Sequence, residues 1–151
     1  MKLLTIIQAR YSSSRFPGKV LKKYKKKTLL EILIKRLQKS KFVKKIVVAT
    51  SINPSNKEIK NLCKKLNIDC YRGSETDIVD RYYKVAKLFK SKNIIRVTGD
   101  CPLIDSKIID DVAEKFFTSK ADYASNTMPP TFPDGLDVEI FNFKSLEQAW
   151  K

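Results

Sequence analysis

The sequence predicts an α/β protein in which a mostly parallel sheet is covered by helices on both faces, a three-layer αβα sandwich. Short apolar runs rich in β-branched residues alternate with segments whose apolar residues recur at helical spacing. Polar segments follow several of the apolar runs, and 151 residues are enough to bury one sizeable core. Because no internal repeat or linker divides the chain, residues 1–151 are expected to form a single domain.

The first part of the chain predicts two buried strands and one helix. Residues 3–9 and 45–50 are almost wholly apolar, which is typical of strands covered on both faces. Residues 10–19 are polar and contain Pro-Gly, so they predict a loop. Thr28 can cap the helix that follows. The apolar stripe of that helix consists of Leu29, Leu30, Leu33, Ile34 and Leu37.

The middle of the chain continues the alternation. Ser55 and Glu58 have the spacing of a capping box, which predicts a helix start at this point. Residues 68–71 predict a short strand, and Ser74 or Thr76 is expected to begin the next helix.

The last third predicts one further buried strand, a helix and two short strands. Residues 93–98 form the buried strand, and Asp105 or Ser106 is expected to cap the helix. The short strands are expected near Tyr123 and at 138–141. Right-handed crossovers between such elements give a doubly wound sheet, whose ligands lie at the carboxyl ends of the strands.

A last helix is expected to begin near Ser145 and to run to Lys151, and its sequence LEQAWK is typical of the middle of a helix, with no C-terminal stop signal. We therefore expect the domain to be truncated at its C-terminal side. Trp150 is expected to face the core.

The composition restricts the chemistry. There is no His, and the three Cys residues show no CxxC spacing, which excludes Ser-His and Cys-His catalysis and the usual zinc sites. Catalysis would have to use carboxylates, cationic side chains, hydroxyls and metal ions held by oxygen ligands. No apolar run is long enough to span a membrane and no signal-peptide pattern is present, so a cytoplasmic location without membrane partners is expected.

The net charge of +15 attracts polyanions, whether nucleoside triphosphates or nucleic acids. Only six of the 31 basic residues are Arg, and the Lys residues are spread along the chain. The Lys-rich run at 22–27 is expected to be a solvated turn. These features favour a generally solvated surface over a dedicated nucleic-acid face.

The loop at 10–19 is the first candidate site. Arg10, Arg15 and Lys19 are spaced through it, with three consecutive serines that end at Ser14. Backbone amides and hydroxyls can hold phosphate oxygens, and cations neutralise their charge. The loop matches neither GxxxxGK[ST] nor GxGxxG. It is either an anion site or a basic surface turn.

Two further candidates follow strands. Asp100 comes directly after a buried strand and Gly99, a position that suits a Mg²⁺ ligand facing a phosphate loop, although it could simply begin a turn. Asp105 is expected only to cap a helix. Arg72 and Gly73 follow the short third strand, where they either contact a base or ribose or form a turn.

A fourth candidate is the pair Asp137 and Glu139. Their alternation places both carboxylates on one face of a short strand, where they could bind sugar hydroxyls or support a metal. The alternative is a polar strand edge. Both interpretations stay open from the residues alone.

Taken together, the motifs resemble those of a known family. The chain contains IIQAR with SSR and PGK, then RGS with DRY, then VTGDCPLID, and finally GLDVE, in this order along nearly its whole length. This pattern is similar to the cytidylyltransferase family, and within it to the branch named for spore-coat polysaccharide biosynthesis. Related branches activate acylneuraminate and keto-deoxy-octulosonate sugars.

The resemblance implies a Rossmann-like nucleotide-diphospho-sugar transferase fold and the transfer of CMP from CTP to a sugar or sugar acid, with release of pyrophosphate. It implies that Arg10 and Lys19 act on the phosphates and that Asp100 holds Mg²⁺, all three being catalytic. The nucleotide would be bound by Gln8, Ala9, Arg10, Ser14, Arg15, Lys19, Arg72, Gly73 and Thr98. The sugar would be contacted by Asn126, Asp137 and Glu139.

Two departures and two alternatives accompany this resemblance. The stretch after Leu21 has a Lys run in place of a glycine usual in the family, and family members are longer, with a possible homodimer arm in the missing part. One alternative is a nucleotidyltransferase of the same fold that uses another nucleoside triphosphate or a sugar-1-phosphate. The other is a basic, non-catalytic nucleic-acid-binding domain, which the lack of stacking motifs and recognition-helix patterns disfavours.

Overall fold

The computed structural model describes residues 3–12 and 16–151. Its strands are β1 (Leu3–Gln8), β2 (Lys23–Tyr24), β3 (Lys27–Thr28), β4 (Val43–Ser51), β5 (Asp69–Gly73), β6 (Asn93–Thr98), β7 (Tyr123–Ser125) and β8 (Glu139–Asn142). Its α-helices are α1 (Leu29–Leu37), α2 (Lys57–Lys65), α3 (Ile78–Leu88), α4 (Ser106–Thr118) and α5 (Phe143–Trp150). Two short 3₁₀ helices cover Lys19–Leu21 and Pro54–Asn56.

Six strands form one sheet in the order β5-β4-β1-β6-β8-β7. The first four strands are parallel to one another, and β8 pairs antiparallel with both β6 and β7. The mostly parallel α/β architecture expected from the sequence is therefore confirmed. Strands β2 and β3 form a separate exposed hairpin within the Lys-rich run.

Alternate residues of the central strands pack into two cores, one on each face of the sheet. On β1, Leu3 and Ile7 contact the core that contains buried residues of α1, α2 and α4. Leu4 and Ile6 contact the second core, which α3 and α5 cover. Because both faces of β1 are buried, its sequence is mostly apolar, with Thr5 as a buried polar exception.

Most element starts agree with their sequence signals. The Thr28 side chain accepts a hydrogen bond from the Glu31 amide at the start of α1, and the Asp105 side chain caps α4 by accepting from the Lys107 amide. These are the expected N-caps.

Two expected helix starts are wrong, and the start expected near Ser145 lies two residues earlier. The capping box at Ser55 does not form, because Asn53 instead caps a 3₁₀ turn at Pro54–Asn56 and α2 begins after it. Helix α3 is capped by Asp77, whose side chain accepts from the Asp80 amide. Helix α5 begins at Phe143 and is capped by Asn142.

Trp150 is not a core residue as expected. Its side chain is 39% exposed, and its indole stacks on Tyr83 with ring centroids 4.1 Å apart. The indole N–H donates to Asp80 Oδ1 at 3.0 Å. These contacts of the partly exposed Trp150 pack α5 onto α3.

Within the described residues, no helix has the length and apolar character that crossing a membrane would need.

Candidate active site

A cavity of about 250 Å³ opens at the carboxyl ends of β1 and β6. It is lined by Gln8, Ala9, Arg10, Lys19, Val20, Ile78, Arg96, Thr98, Gly99 and Asp100. The sheet brings together the first loop and the segment after β6 because β1 and β6 are parallel neighbours, with Gln8 paired to Thr98. This is the edge at which open parallel sheets bind ligands.

A larger hollow, of about 630 Å³, lies at the opposite end of the strands. Its walls include Leu3, Leu4 and Phe89, with Lys44 and Lys92 at its edge. It contains none of the residues that the sequence motifs single out. We therefore assign the site to the smaller cavity, where charged groups of opposite sign face one another.

Gly99 is required by a close approach between backbones. A side chain at this position would lie 2.9 Å from both the Ala9 Cβ and the Gln8 carbonyl oxygen. The Gly99 amide donates to that same carbonyl oxygen at 2.8 Å. The glycine thus lets the two strand ends meet at the floor of the cavity.

Lys19 and Asp100 form an ion pair across the cavity, with Nζ and Oδ2 2.5 Å apart. Gly18, in the left-handed region at φ 69°, turns the chain so that Lys19 can begin its 3₁₀ helix. Burial opposes ionisation of Asp100, but the hydrogen bond and charge of Lys19 outweigh it and lower the pKa of this carboxyl. Asp100 is therefore a carboxylate at neutral pH.

Arg96 is a cavity residue that the sequence reasoning missed. Its guanidinium donates through Nη1 to Glu139 Oε2 at 2.5 Å, across the β6–β8 pairing. The signal that could have found it is a cation inside an apolar strand, two residues before Thr98 and thus on the same face. The Arg96–Glu139 pair thus connects β6, which ends at the nucleotide candidate Thr98, with the sugar candidate Glu139 on β8.

The beginning of the first loop is tied to the rest of the protein by residues that the sequence reasoning also missed. The Tyr11 amide donates to Asn56 Oδ1 at 2.7 Å, and Ser12 Oγ donates to Glu75 Oε1 at 3.2 Å. Ser51, at the end of β4, connects Asn56 with Glu75. These partners are far apart in sequence, so no local pattern reveals them.

Arg72 and Gly73 are the last two residues of β5 and do not follow it as expected, because both pair with β4. Arg72 holds the turn after β4. Its guanidinium donates to the backbone carbonyl oxygens of Ser51, Ile52 and Asn53. Gly73 faces the Tyr71 ring and Arg81. Neither Arg72 nor Gly73 lines the cavity, so their contact with a base or ribose stays a prediction.

The sugar candidates lie around β8. Both ends of the Asn126 side-chain amide bind backbone, donating to the Leu136 carbonyl oxygen and accepting from the Val138 amide. Asp137 precedes β8 rather than lying on it. Burial and the nearby charges of Asp134 and Glu139 raise the pKa of Asp137. Their contact with a sugar stays a prediction.

Two candidates, Ser14 and Arg15, lie outside the described residues. Arg10, at the end of β1, is exposed and lines the cavity. With Lys19 and Arg96, it gives the described part of this cavity three cationic side chains against Asp100. Arg96 is paired with Glu139 and Lys19 with Asp100, so the remaining excess of positive charge suits a further anionic ligand.

Asp100 is the one carboxylate in the described lining of the cavity, and thus the candidate metal ligand there. Among residues 3–12 and 16–151, no three carboxylate or thiol side chains form a cluster that could hold a metal ion. Asp100 is ionised, partly exposed and faces the cationic loop. Mg²⁺ is commonly held by one or two carboxylates together with substrate phosphates, so a single carboxylate fits that arrangement.

Comparison with known proteins decides the family. The family model described as Cytidylyltransferase matches residues 4–151. The chain belongs to the cytidylyltransferase family. The resemblance read from the sequence motifs is thereby confirmed.

Three similar proteins illustrate this membership. An uncharacterized protein of Methanocaldococcus jannaschii is 42% identical over all of this chain and 61% of its own length. Spore coat polysaccharide biosynthesis protein SpsF of Bacillus subtilis is 38% identical over 95% of this chain and 60% of its own length. The structure of a cytidylyltransferase from Leptospira borgpetersenii superposes with a TM-score of 0.93 at 37% identity, covering 98% of this chain and 63% of that one. The present chain thus spans about three fifths of the length of these relatives.

Proposed function

We propose that this domain binds CTP and belongs to an enzyme that transfers CMP to a sugar or sugar acid, releasing pyrophosphate, for a surface polysaccharide or glycan. The observation that carries the proposal is the cavity in which Arg10 and Lys19 face Asp100 at the joined ends of β1 and β6. Family membership and the polysaccharide role in the name of SpsF support it.

The chemistry requires positioning and charge neutralisation more than a protein nucleophile. A sugar hydroxyl oxygen would attack the α-phosphorus of CTP. A new P–O bond forms, the bond to the β-phosphate oxygen breaks, and the hydroxyl proton leaves to solvent. Arg10 and Lys19 would neutralise the α-phosphate and the departing pyrophosphate, with Ser14 and Arg15 of the same loop as further ligands.

Asp100 is the residue that would hold Mg²⁺ in this domain. When bound, the ion would neutralise phosphate charge and favour departure of pyrophosphate. In the free protein Lys19 compensates the Asp100 charge. The triphosphate would attract Lys19 and thereby free the carboxylate to act as a ligand.

The remaining roles are those that the family resemblance implies. Gln8, Ala9 and Thr98 line the floor of the cavity, where a cytidine would lie, with Arg72 and Gly73 proposed at the outer side of the base. Glu139 on β8, Asp137 just before it and Asn126 just after β7 would face the sugar. A cytoplasmic location and a homodimer of the longer protein stay predictions.

Thermal unfolding with each of CTP, UTP, ATP and GTP, with and without Mg²⁺, tests the proposal. A ligand present at 100 times its Kd adds about 2.7 kcal/mol of stability. We expect a shift that is largest for CTP, requires Mg²⁺, and disappears in Asp100→Ala. The matched control is Asp111→Ala, which removes an exposed carboxylate on α4.

Two outcomes would contradict the proposal. A larger shift with another triphosphate would indicate a different nucleotidyltransferase. No shift with any triphosphate, together with salt-sensitive RNA binding, would indicate the nucleic-acid-binding alternative.

A further inference from the structure

We propose that Asn56, Ser51 and Glu75 act as positioning residues that fix the start of the phosphate-binding loop, an inference that rests on the proposed function for its ligand. These three residues and their two loop partners, Tyr11 and Ser12, are called the loop anchor below. None of the three positioning residues lines the cavity. They act through the loop that follows β1.

The buried centre of the loop anchor is the pair Asn56 and Ser51. Both residues are fully buried, and Asn56 Nδ2 donates to Ser51 Oγ at 2.6 Å. Asn56 Oδ1 accepts from the Tyr11 amide at 2.7 Å. Because a buried polar group without a partner is costly, this arrangement strongly favours one position of Tyr11.

Glu75 completes the loop anchor from the segment after β5. Ser51 Oγ donates to Glu75 Oε2 and accepts from Asn56 Nδ2. The other carboxylate oxygen accepts from Ser12 Oγ at 3.2 Å. Two consecutive loop residues are therefore held from two different segments of the chain.

The backbone that carries Glu75 is itself fixed. Arg81 is 1% exposed, and its Nη1 donates to the carbonyl oxygens of Ser74 and Glu75. This buried Arg therefore braces the segment between β5 and α3. The loop anchor is thus supported at both ends by buried groups.

The far side of the loop is held as well. The Gly18 amide donates to the Tyr11 carbonyl oxygen at 2.8 Å, which closes the base of the loop immediately before Lys19. A shift of Tyr11 would therefore also shift Lys19. Fixing such a loop before the ligand arrives reduces the entropy lost on binding.

The decisive variants are Glu75→Ala and Glu75→Gln. Alanine removes both acceptors. Glutamine can direct its oxygen to the Ser51 hydroxyl and its amide group to Ser12 Oγ, which can accept. If Glu75 acts through these hydrogen bonds, Glu75→Gln should bind CTP as tightly as the wild type. If Glu75 acts through its charge, Glu75→Gln should lose as much CTP affinity as Glu75→Ala, and the positioning role is overturned.

The measurement is the Kd of CTP with Mg²⁺ and of CMP by titration calorimetry. We expect Glu75→Ala and Ser51→Ala to raise the CTP Kd about tenfold, which is 1.4 kcal/mol. The CMP Kd should change less than twofold, because CMP lacks the β- and γ-phosphates. Ser55→Ala, which removes an exposed hydroxyl nearby, should leave both constants unchanged.

A second readout is hydrogen exchange of the Tyr11 amide in the ligand-free variants, which needs no nucleotide. Faster exchange in Ser51→Ala than in Ser55→Ala is expected. Equal exchange, or equal loss of CTP and CMP binding, would overturn the positioning role. Wild-type protein that does not bind CTP would overturn the proposed function, and hydrogen exchange would still decide whether the loop anchor holds Tyr11.

Discussion

Different kinds of interaction stabilise the two sides of the cavity. On the β4–β5 side, the fully buried groups of Ser51 and Asn56 hold the loop through hydrogen bonds. On the β6–β8 side, partly exposed ion pairs dominate, and the side chains of Lys19 and Asp100 are 28% and 41% exposed. The first kind of contact suits a permanent framework, and the second suits groups that exchange partners when a ligand binds.

Solvent explains this difference. A buried hydrogen bond has no water to replace its partner, so breaking it costs about 1–3 kcal/mol. An exposed ion pair contributes only about 0–1 kcal/mol, because water solvates both charges. Lys19 and Asp100 can therefore separate for phosphate and metal with little loss of stability.

The largest expected effect, on reaction rate, tests the ion pair between Lys19 and Asp100. Under the proposed function, Lys19→Gln removes a cation from the phosphates, and the rate of the proposed CMP transfer should fall by about 10²–10³. The melting temperature should change little, since the ion pair is partly exposed. Steady-state assays of pyrophosphate release and thermal unfolding measure the two quantities.

The control for this prediction is Lys22→Gln, which removes an exposed cation outside the cavity. It should leave both the rate and the melting temperature unchanged. A Lys19→Gln enzyme that keeps its rate within about threefold would show that this loop cation does not act on the phosphates.

The same contrast explains what could be predicted from sequence. The bounds of β6 follow from its apolar pattern, and the position of Gln8 and Asp100 in one cavity follows from the rule that parallel strand ends converge. The loop anchor could not be predicted, because Asn56 and Glu75 meet residues 45 and 63 positions away. Only the fold brings these isolated polar residues together.

Helix starts show the same limit on a smaller scale. Ser74 and Thr76 are the expected caps of α3, but Asp77 is also a capping residue type and lies next to them. Only Asp77 precedes Ile78 with an extended backbone and a side chain directed to the Asp80 amide. Local sequence therefore indicates that a helix begins here, and the backbone selects the residue.

A smaller effect, on stability, is expected at the ion pair between Arg96 and Glu139. Glu139→Gln leaves the half-buried Arg96 guanidinium without its counter-charge, which should destabilise the domain by about 1–2 kcal/mol. For a chain of this size that corresponds to a fall of roughly 2–8 °C in melting temperature. The double variant Arg96→Met with Glu139→Leu should recover most of the loss, because it removes both charges. A double variant as unstable as the single one would contradict this origin.

The smallest expected effect distinguishes the two sides of the cavity by pH. The folded-state pKa of Asp100 lies below its ordinary value of 3.8, because the Lys19 contacts outweigh burial, so the pair stabilises the protein above that pH. This contribution, less than about 1 kcal/mol at such exposure, is lost as pH falls through the lowered pKa. The stability difference between wild type and Lys19→Gln, from urea unfolding, should therefore vanish in acid. The deficit of Asn56→Ala should persist over the same range, because its bonds to the Tyr11 amide and the Ser51 hydroxyl do not titrate. If both differences faded together, the contrast between a permanent and an exchangeable side would be wrong.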